Sequence, residues 1–554
     1  MRRLLLLLCA LLGLWACRND GLEPAPGSSS ANVEPPKDGT HELYSIRIEA
    51  ALNPGIGDDI VFQEGGDGVW RAMHLPWRDG SSPEMFIPTV QFRGKRLLVA
   101  GEAVSPGQTP VSFASAFSFV VEAEDGSTAS FPVDLNFPQI NTELAVLRVS
   151  PDREITSKNT YVQADASLTS PRTTAGWWTP SKGRIEIRGR GNSTWLLPKK
   201  PYRIRFPEKF SPIGLRHTQA RSWVILGQDM DKSLIRNALA WDMSRVLFNP
   251  ADGYHDPLAI LFTPCCEFVN LYMGNEYRGV YQFTDQLQRH EGRIFVDKLT
   301  QADGSASSLI EGGYIVEANI HGESAPVRFY SPQKNIQLDH KYPDEEDYDA
   351  SQYEWIKNYI GQAEKVLYGS SYKDPSSGWR AWFDEKTLAD YIIIKELAGD
   401  MDGYTSTWMY KRRGSPKIFF GPIWDVDKGW DNEIRTAGVS DKANSLMIYA
   451  GFKMPNFVSD DWFQRFWADE TFRAFVNARW ISRRDALISA IERGLDLYPA
   501  LMPKAVEANY TVWPFYYQAS TEAKMPAATY PEEIQRIRRI THQRAAVLDR
   551  LFAQ

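Results

Sequence analysis

From Tyr44 to Glu49 apolar and polar side chains alternate, with Tyr44, Ile46 and Ile48 set against Ser45, Arg47 and Glu49. A period of two is the pattern of a strand with one face buried. Phe117, Phe119 and Val121 repeat it, Asp125-Gly126 supplies a tight turn, and Phe131, Val133 and Leu135 take it up again. Short strands at turn-marked intervals over residues 41–140 predict an immunoglobulin-like β-sandwich. No catalytic constellation falls in that stretch, so it is expected to act as a spacer.

From residue 141 to 554 the periods mix, which predicts an α+β unit with a helical C-terminal part. Arg184 to Arg188 and Tyr202 to Phe206 alternate on either side of a glycine-rich turn. Ile235, Leu239, Met243 and Val246 recur at helical spacing and predict a helix over 232–247. Phe268 to Met273 and Gly279 to Phe283 flank Gly274-Asn275, a hairpin signal. A helix is expected over 384–398, with Leu388, Tyr391, Ile394 and Leu397 on one face, followed by a hairpin from Trp408 to Phe420. Two long amphipathic helices are expected around 462–491 and 531–552, with Pro531 suited to a first turn.

The first residues bear on location. Met1-Arg2-Arg3 and the apolar run Leu4 to Leu14 have the form of a secretory signal peptide, too short for a membrane span. Leu14-Trp15-Ala16-Cys17 resembles a lipobox, so residues 1–16 are expected to be removed and Cys17 to carry a lipid anchor, a plain signal peptide being the alternative. Residues 18–40 are rich in Pro, Gly and Ser and read as a disordered linker. The expected location is therefore the bacterial cell envelope or surface, with the membrane as a partner through the lipid. A formal charge of −7 offers no basic surface for nucleic acid. Beyond the leader only Cys265 and Cys266 remain, which predicts neither a disulfide framework nor a Cys/His zinc site.

Three segments could carry chemistry. The run Arg188-Gly189-Arg190-Gly191-Asn192-Ser193-Thr194, with Lys199 and Lys200 just beyond it, has glycines that let backbone approach phosphates and lysines that could neutralise them. A hairpin with exposed basic residues would look the same. Gly399-Asp400-Met401-Asp402-Gly403 follows the 384–398 helix, and Trp424-Asp425-Val426-Asp427 follows the hairpin. Carboxylates from two such loops can hold Mg²⁺ and orient an acceptor hydroxyl, although turn capping and ion pairing are the simpler alternatives. The Asp344-Glu345-Glu346-Asp347 run reads as a helix opening rather than a cation site.

Six blocks in order resemble the CotH family: RGRGNSTW…PKKPYRIRF, SWVILGQDMDKSLIRNALA, VNLYMGNEYRGVYQFTDQ, GGYIVE, KELAGDMDGYTSTWMYKRR and FFGPIWDVD. The resemblance implies a divergent protein-kinase-like fold over 141–554 that uses ATP and Mg²⁺ to phosphorylate Ser/Thr-rich proteins. It implies Asp402 as the residue orienting the acceptor hydroxyl and Asp425 as a metal ligand, with Asp427 a second ligand or a structural partner. Lys200, with Lys199 as alternative, would contact phosphate, and Arg188 and Asn192 would touch the nucleotide. Two positions depart from the family pattern: Thr407, after Ser406, stands where a metal-binding asparagine is usual, and Asp285 where a glutamate is. The competing expectations are a non-catalytic surface adhesin or scaffold, and a carbohydrate binder using the tryptophans.

Overall fold

A computed structural model describes residues 38–53, 59–64, 68–72, 85–113, 116–134, 144–171, 176–215, 219–319, 327–344, 347–404, 406–434, 445–449, 462–520 and 523–554. The leader, Cys17 and the linker as far as residue 37 lie outside the described residues, so the expectations placed on them do too.

The N-terminal strands bury their own core, with Ile46, Ile48, Phe119 and Val121 fully enclosed. The alternation at the first strand, Glu42–Ile48, slips by one residue. A bulge between Leu43 and Ser45 turns Leu43 inward and leaves Tyr44 56% exposed, because an extra residue reverses the facing of everything before it. Hydrogen bonds then run through one eight-stranded sheet, in which Trp70–Ala72 pairs parallel to Thr128–Asp134. This differs from the expected immunoglobulin-like arrangement of two antiparallel sheets face to face.

Next comes a closed barrel. In hydrogen-bonded order its strands are Ala145–Pro151, Val162–Thr169, Ile185–Gly189, Tyr202–Phe210, Ala220–Leu226, Glu276–Asp285 and Cys266–Met273, the last closing in parallel on the first. Alternate side chains point inward and fill the interior, among them Leu147, Val149, Ile187, Ile204, Trp223 and Phe283. Trp178 completes that core. Its ring lies 4.9 Å from Phe206 and 5.0 Å from Phe210, and its indole N–H donates to the Gly183 carbonyl at 3.2 Å. Trp178→Ala is expected to cost about 3–5 kcal/mol, because the neighbours collapse only partly into such a void. The denaturant midpoint would measure it.

A five-stranded sheet follows, ordered Arg328–Tyr330, Gln337–Tyr342, Tyr314–Asn319, Ser406–Lys411, Ile418–Phe420. The C-terminal part is helical. The expected 232–247 helix begins only at Arg236 and runs to Leu247, because Asp231 accepts from the Arg236 N–H at 2.9 Å and Leu234 takes φ +65° in a turn ahead of it. The helix Glu385–Ala398 is buried on all sides rather than one, lying among Arg236–Leu247, Glu470–Leu501 and Tyr530–Leu551. Asp384 caps its start by accepting from the Thr387 N–H, and Gly399 ends it in the left-handed region. Among the described residues no helix is long and apolar enough to cross a membrane.

Candidate active site

A cavity of about 460 Å³ opens where the barrel, the five-stranded sheet and the two aspartate loops meet. Strand register puts the barrel's contribution in place. Arg188 on Ile185–Gly189 stands directly across from Arg203 on Tyr202–Phe210, and both line the cavity. Like charges facing each other across a ladder oppose folding; among the described residues neither arginine makes an ion pair, and the charge of Asp344 bears on Arg203 from a distance. Burial holds the Arg203 guanidinium down to about 10, and its buried Nε has no hydrogen-bond partner. Arg190 sits at the turn with its guanidinium 5.7 Å from the centre of the Trp424 ring. Burial lowers its pKa, and the charge of Asp425 is the largest opposing influence. Gly191 then turns the chain at φ +87°, where an added Cβ would lie 2.1 Å from Thr194 Oγ1. Asn192 lines the cavity as well.

The two candidate lysines are placed otherwise than the resemblance implied. Lys200 Nζ donates to the carbonyls of Trp195 and Leu197 at 2.7 and 3.3 Å, lies over the Trp195 ring and does not line the cavity. Lys199 does line it, but its buried ammonium donates to Val280 O and Asn509 Oδ1, both at 2.7 Å. That bond ties the helix Pro503–Val512 to the barrel. Burial depresses the Lys199 ammonium to about 7. In the unfolded chain it titrates near 10.4, so between those values the unfolded state binds more protons and stability rises with pH. Lys199→Met is expected to remove this part of the slope between about pH 7 and 10. Chemical denaturation of both proteins at several pH values would check it.

The first aspartate loop leaves the end of Glu385–Ala398. Asp400 is fully buried, held by Lys395 Nζ at 2.9 Å, and the same ammonium reaches the Trp424 carbonyl at 3.0 Å, joining the two loops. Burial raises the Asp400 pKa against the pull of Lys395. Gly403 has to be small here, since a Cβ would lie 2.4 Å from Lys395 Cδ. Asp402 opens a short turn, and its Oδ2 lies 3.1 Å from Lys428 Nζ. Ser406 and Trp408 face the cavity from the next strand, so Thr407 faces the core, its hydroxyl 3.3 Å from both the Gly403 carbonyl and the Tyr391 hydroxyl.

The second loop is pinned from behind. Trp241 donates to the Ile423 carbonyl, and Asn237 Oδ1 accepts from the Val426 N–H at 2.8 Å. Asp425 between them takes φ +58°, in the left-handed region. Asp425 is exposed to the cavity's solvent, whereas Asp427 is only 8% exposed. Burial and then the nearby Asp402 push the Asp425 pKa up, and burial and then Asp425 push that of Asp427 well up. Among the described residues neither carboxylate accepts a hydrogen bond or an ion pair. Among the described residues no three His, Cys, Asp or Glu side chains close around a metal ion unaided. Magnesium is commonly bound by one or two carboxylates plus substrate phosphates, with water completing the shell. Two unpartnered, mutually repelling aspartates beside unpaired arginines fit that manner of binding.

Sequence reasoning missed part of the lining. Glu317 and Asn319 enter from Tyr314–Asn319 and Lys341 from Gln337–Tyr342. Glu317 pairs with Lys341 at 2.8 Å and accepts from Ser406 Oγ at 2.9 Å. The alternation of Glu317 and Asn319 within one strand was the available signal, but nothing in it told which face met the loops. Asp344 also lines the cavity instead of opening a helix; the following helix, Ala350–Leu367, is capped by Asp349. Asp285 is remote from Lys200, with its two oxygens taken by Arg293 Nε at 2.7 Å and the Cys265 N–H at 2.9 Å. In all, eight cationic side chains face six carboxylates around the cavity, in a chain whose overall charge is −7.

A comparison with curated proteins gives no match. The family model described as CotH kinase protein matches residues 187–548, which include the arginine turn, both aspartate loops and the helices that hold them. That span is well over half of the chain, which therefore belongs to the CotH kinase protein family.

Proposed function

We propose that this cavity binds Mg²⁺-ATP and that the protein transfers a phosphoryl group to serine or threonine hydroxyls of a protein acceptor. One observation carries the reading. Among the described residues the cavity has an acidic end where Asp425 and Asp427 accept no hydrogen bond or close ion pair, and a wall of arginines, Arg188, Arg190 and Arg203, that make no close ion pair either. Charges crowded in this way without close partners favour a ligand that meets both ends, and a metal-bound polyphosphate brings both signs.

In this reading Arg190, Arg188 and Arg203 hold phosphate oxygens, a task that suits the planar guanidinium. Asn192 and the turn around it lie against the nucleotide. Lys199 and Lys200 have their ammonium groups engaged elsewhere, the first tying the helix Pro503–Val512 to the barrel and the second supporting the turn, instead of binding phosphate. Asp425 and Asp427 would hold Mg²⁺, which supplies neutralising charge across the phosphates. Asp402 orients the acceptor hydroxyl. The hydroxyl oxygen bonds to the terminal phosphorus as the bridging P–O bond breaks, the electron pair leaves with the nucleoside diphosphate, and the hydroxyl proton passes to Asp402. The barrel and the helical part would then act as the two lobes of a divergent kinase-like fold. The acceptor is a Ser/Thr-rich protein met outside the cytoplasm, reached from a lipid anchor at Cys17 with the N-terminal sheet as spacer.

Incubation with Mg²⁺ and ATP labelled at the terminal phosphate, with a serine-rich protein as acceptor, tests this. Acid-stable label on the acceptor's hydroxyls is the expected result. Absence of label and of nucleotide binding would leave a surface scaffold as the better account.

A further inference from the structure

Lys428 sits at the centre of the acidic end. Its side chain is 7% exposed, lines the cavity, and brings Nζ to 3.1 Å from Asp402 Oδ2. Its charge also bears on Asp400, Asp425 and Asp427. It thereby links the loop after Glu385–Ala398 to the loop after Ile418–Phe420.

Phosphoryl transfer is often served by two divalent ions, the second placed between the acceptor aspartate and the transferring group by a further polar ligand. Here the position where the family pattern has that ligand does not supply it. Thr407 turns its hydroxyl into the core toward Gly403 and Tyr391, and among the described residues no third carboxylate closes on Asp425 and Asp427. A cation already stands beside Asp402. Lysine provides a compact point charge with three donors, enough to hold a carboxylate and still face a phosphoryl oxygen.

We propose that the Lys428 ammonium replaces the second metal ion, so that transfer at this site uses a single divalent cation. The inference rests on the nucleotide reading above and deepens it. Lys428 is a positioning residue for Asp402. Without its charge, Asp402 and Asp425 would repel each other more strongly, and the acceptor carboxylate would lose one of the groups that place it.

The test counts metal ions directly. Full-length protein is saturated with the imido analogue of ATP, and bound Mn²⁺ is counted by electron paramagnetic resonance. One ion per chain is expected. Lys428→Met is expected to lower labelled-phosphate transfer roughly 100-fold or more while the analogue binds within about threefold of wild type. Lys428→Arg should keep one ion and recover part of the transfer, and a cooperative thermal transition in each variant shows that it folds. Two ions in the wild type, or full transfer by Lys428→Met, would overturn the inference and leave the nucleotide site standing. No bound Mn²⁺ at all would remove both.

Discussion

Asp402→Asn is expected to reduce phosphoryl transfer by about 10²–10⁴-fold, the usual contribution of a positioned general base, while leaving Mg²⁺-ATP affinity nearly unchanged. The carboxylate lies at the mouth of its loop, 14% exposed, within reach of an entering hydroxyl and fixed by Lys428. Asparagine keeps the shape and can still accept a hydrogen bond, but it cannot take the proton. The loop itself should hold, because its anchors are the Lys395–Asp400 pair and the Tyr391 hydroxyl, which donates to the Gly403 carbonyl at 2.5 Å. Single-turnover transfer measured beside equilibrium nucleotide binding separates the two quantities. A parallel loss of both would reassign Asp402 to metal or nucleotide binding.

Asp425→Asn is expected to change two properties in opposite directions. It should abolish metal-dependent transfer, because one of the two carboxylates available to Mg²⁺ is gone. It should also stabilise the free protein at neutral pH. Burial and the charge of Asp402 raise the Asp425 pKa, so the folded state holds the proton more tightly than the unfolded state does. Stability contributed by this group is therefore lost as pH climbs from the ordinary aspartate range through its raised value. Asparagine removes the charge and tolerates the left-handed backbone at φ +58°, which alanine would not. Melting curves without metal would show the variant transition above that of the wild type. A transition below it would mean that an unrecognised partner already compensates the carboxylate.

The ordered blocks made the site's loops legible, since Asp402, Asp425 and Asp427 lie in loops where a helix and a strand end. Side-chain direction was less legible, because one residue of register decides it. Lys199 and Lys200 are neighbours, yet one ammonium goes to Val280 and Asn509 and the other to carbonyls of the turn, while the arginines from the adjoining strands face the cavity. Ser406 and Thr407 divide in the same way. The acidic side chain of Glu317 and the lysine at 341, with Asp344 just beyond, arrive from a sheet whose placement depends on pairing across about 90 residues, such as Glu317 with Trp408. No local pattern encodes that. The barrel was hidden for the same reason, its closure resting on the parallel pairing of Ala145–Pro151 with Cys266–Met273. At Tyr44 the alternation itself misled, since a bulge reversed the facing that period two predicted.

The most direct test of the nucleotide site is a thermal-unfolding titration of the wild-type protein with ATP alone, Mg²⁺ alone and both together. A ligand that binds only the folded state stabilises it by about 2.7 kcal/mol at one hundred times its dissociation constant. The account predicts a rise of several degrees in the transition with ATP and Mg²⁺ together, and little with either alone. No shift at millimolar Mg²⁺-ATP, in a protein that melts cooperatively, would contradict it.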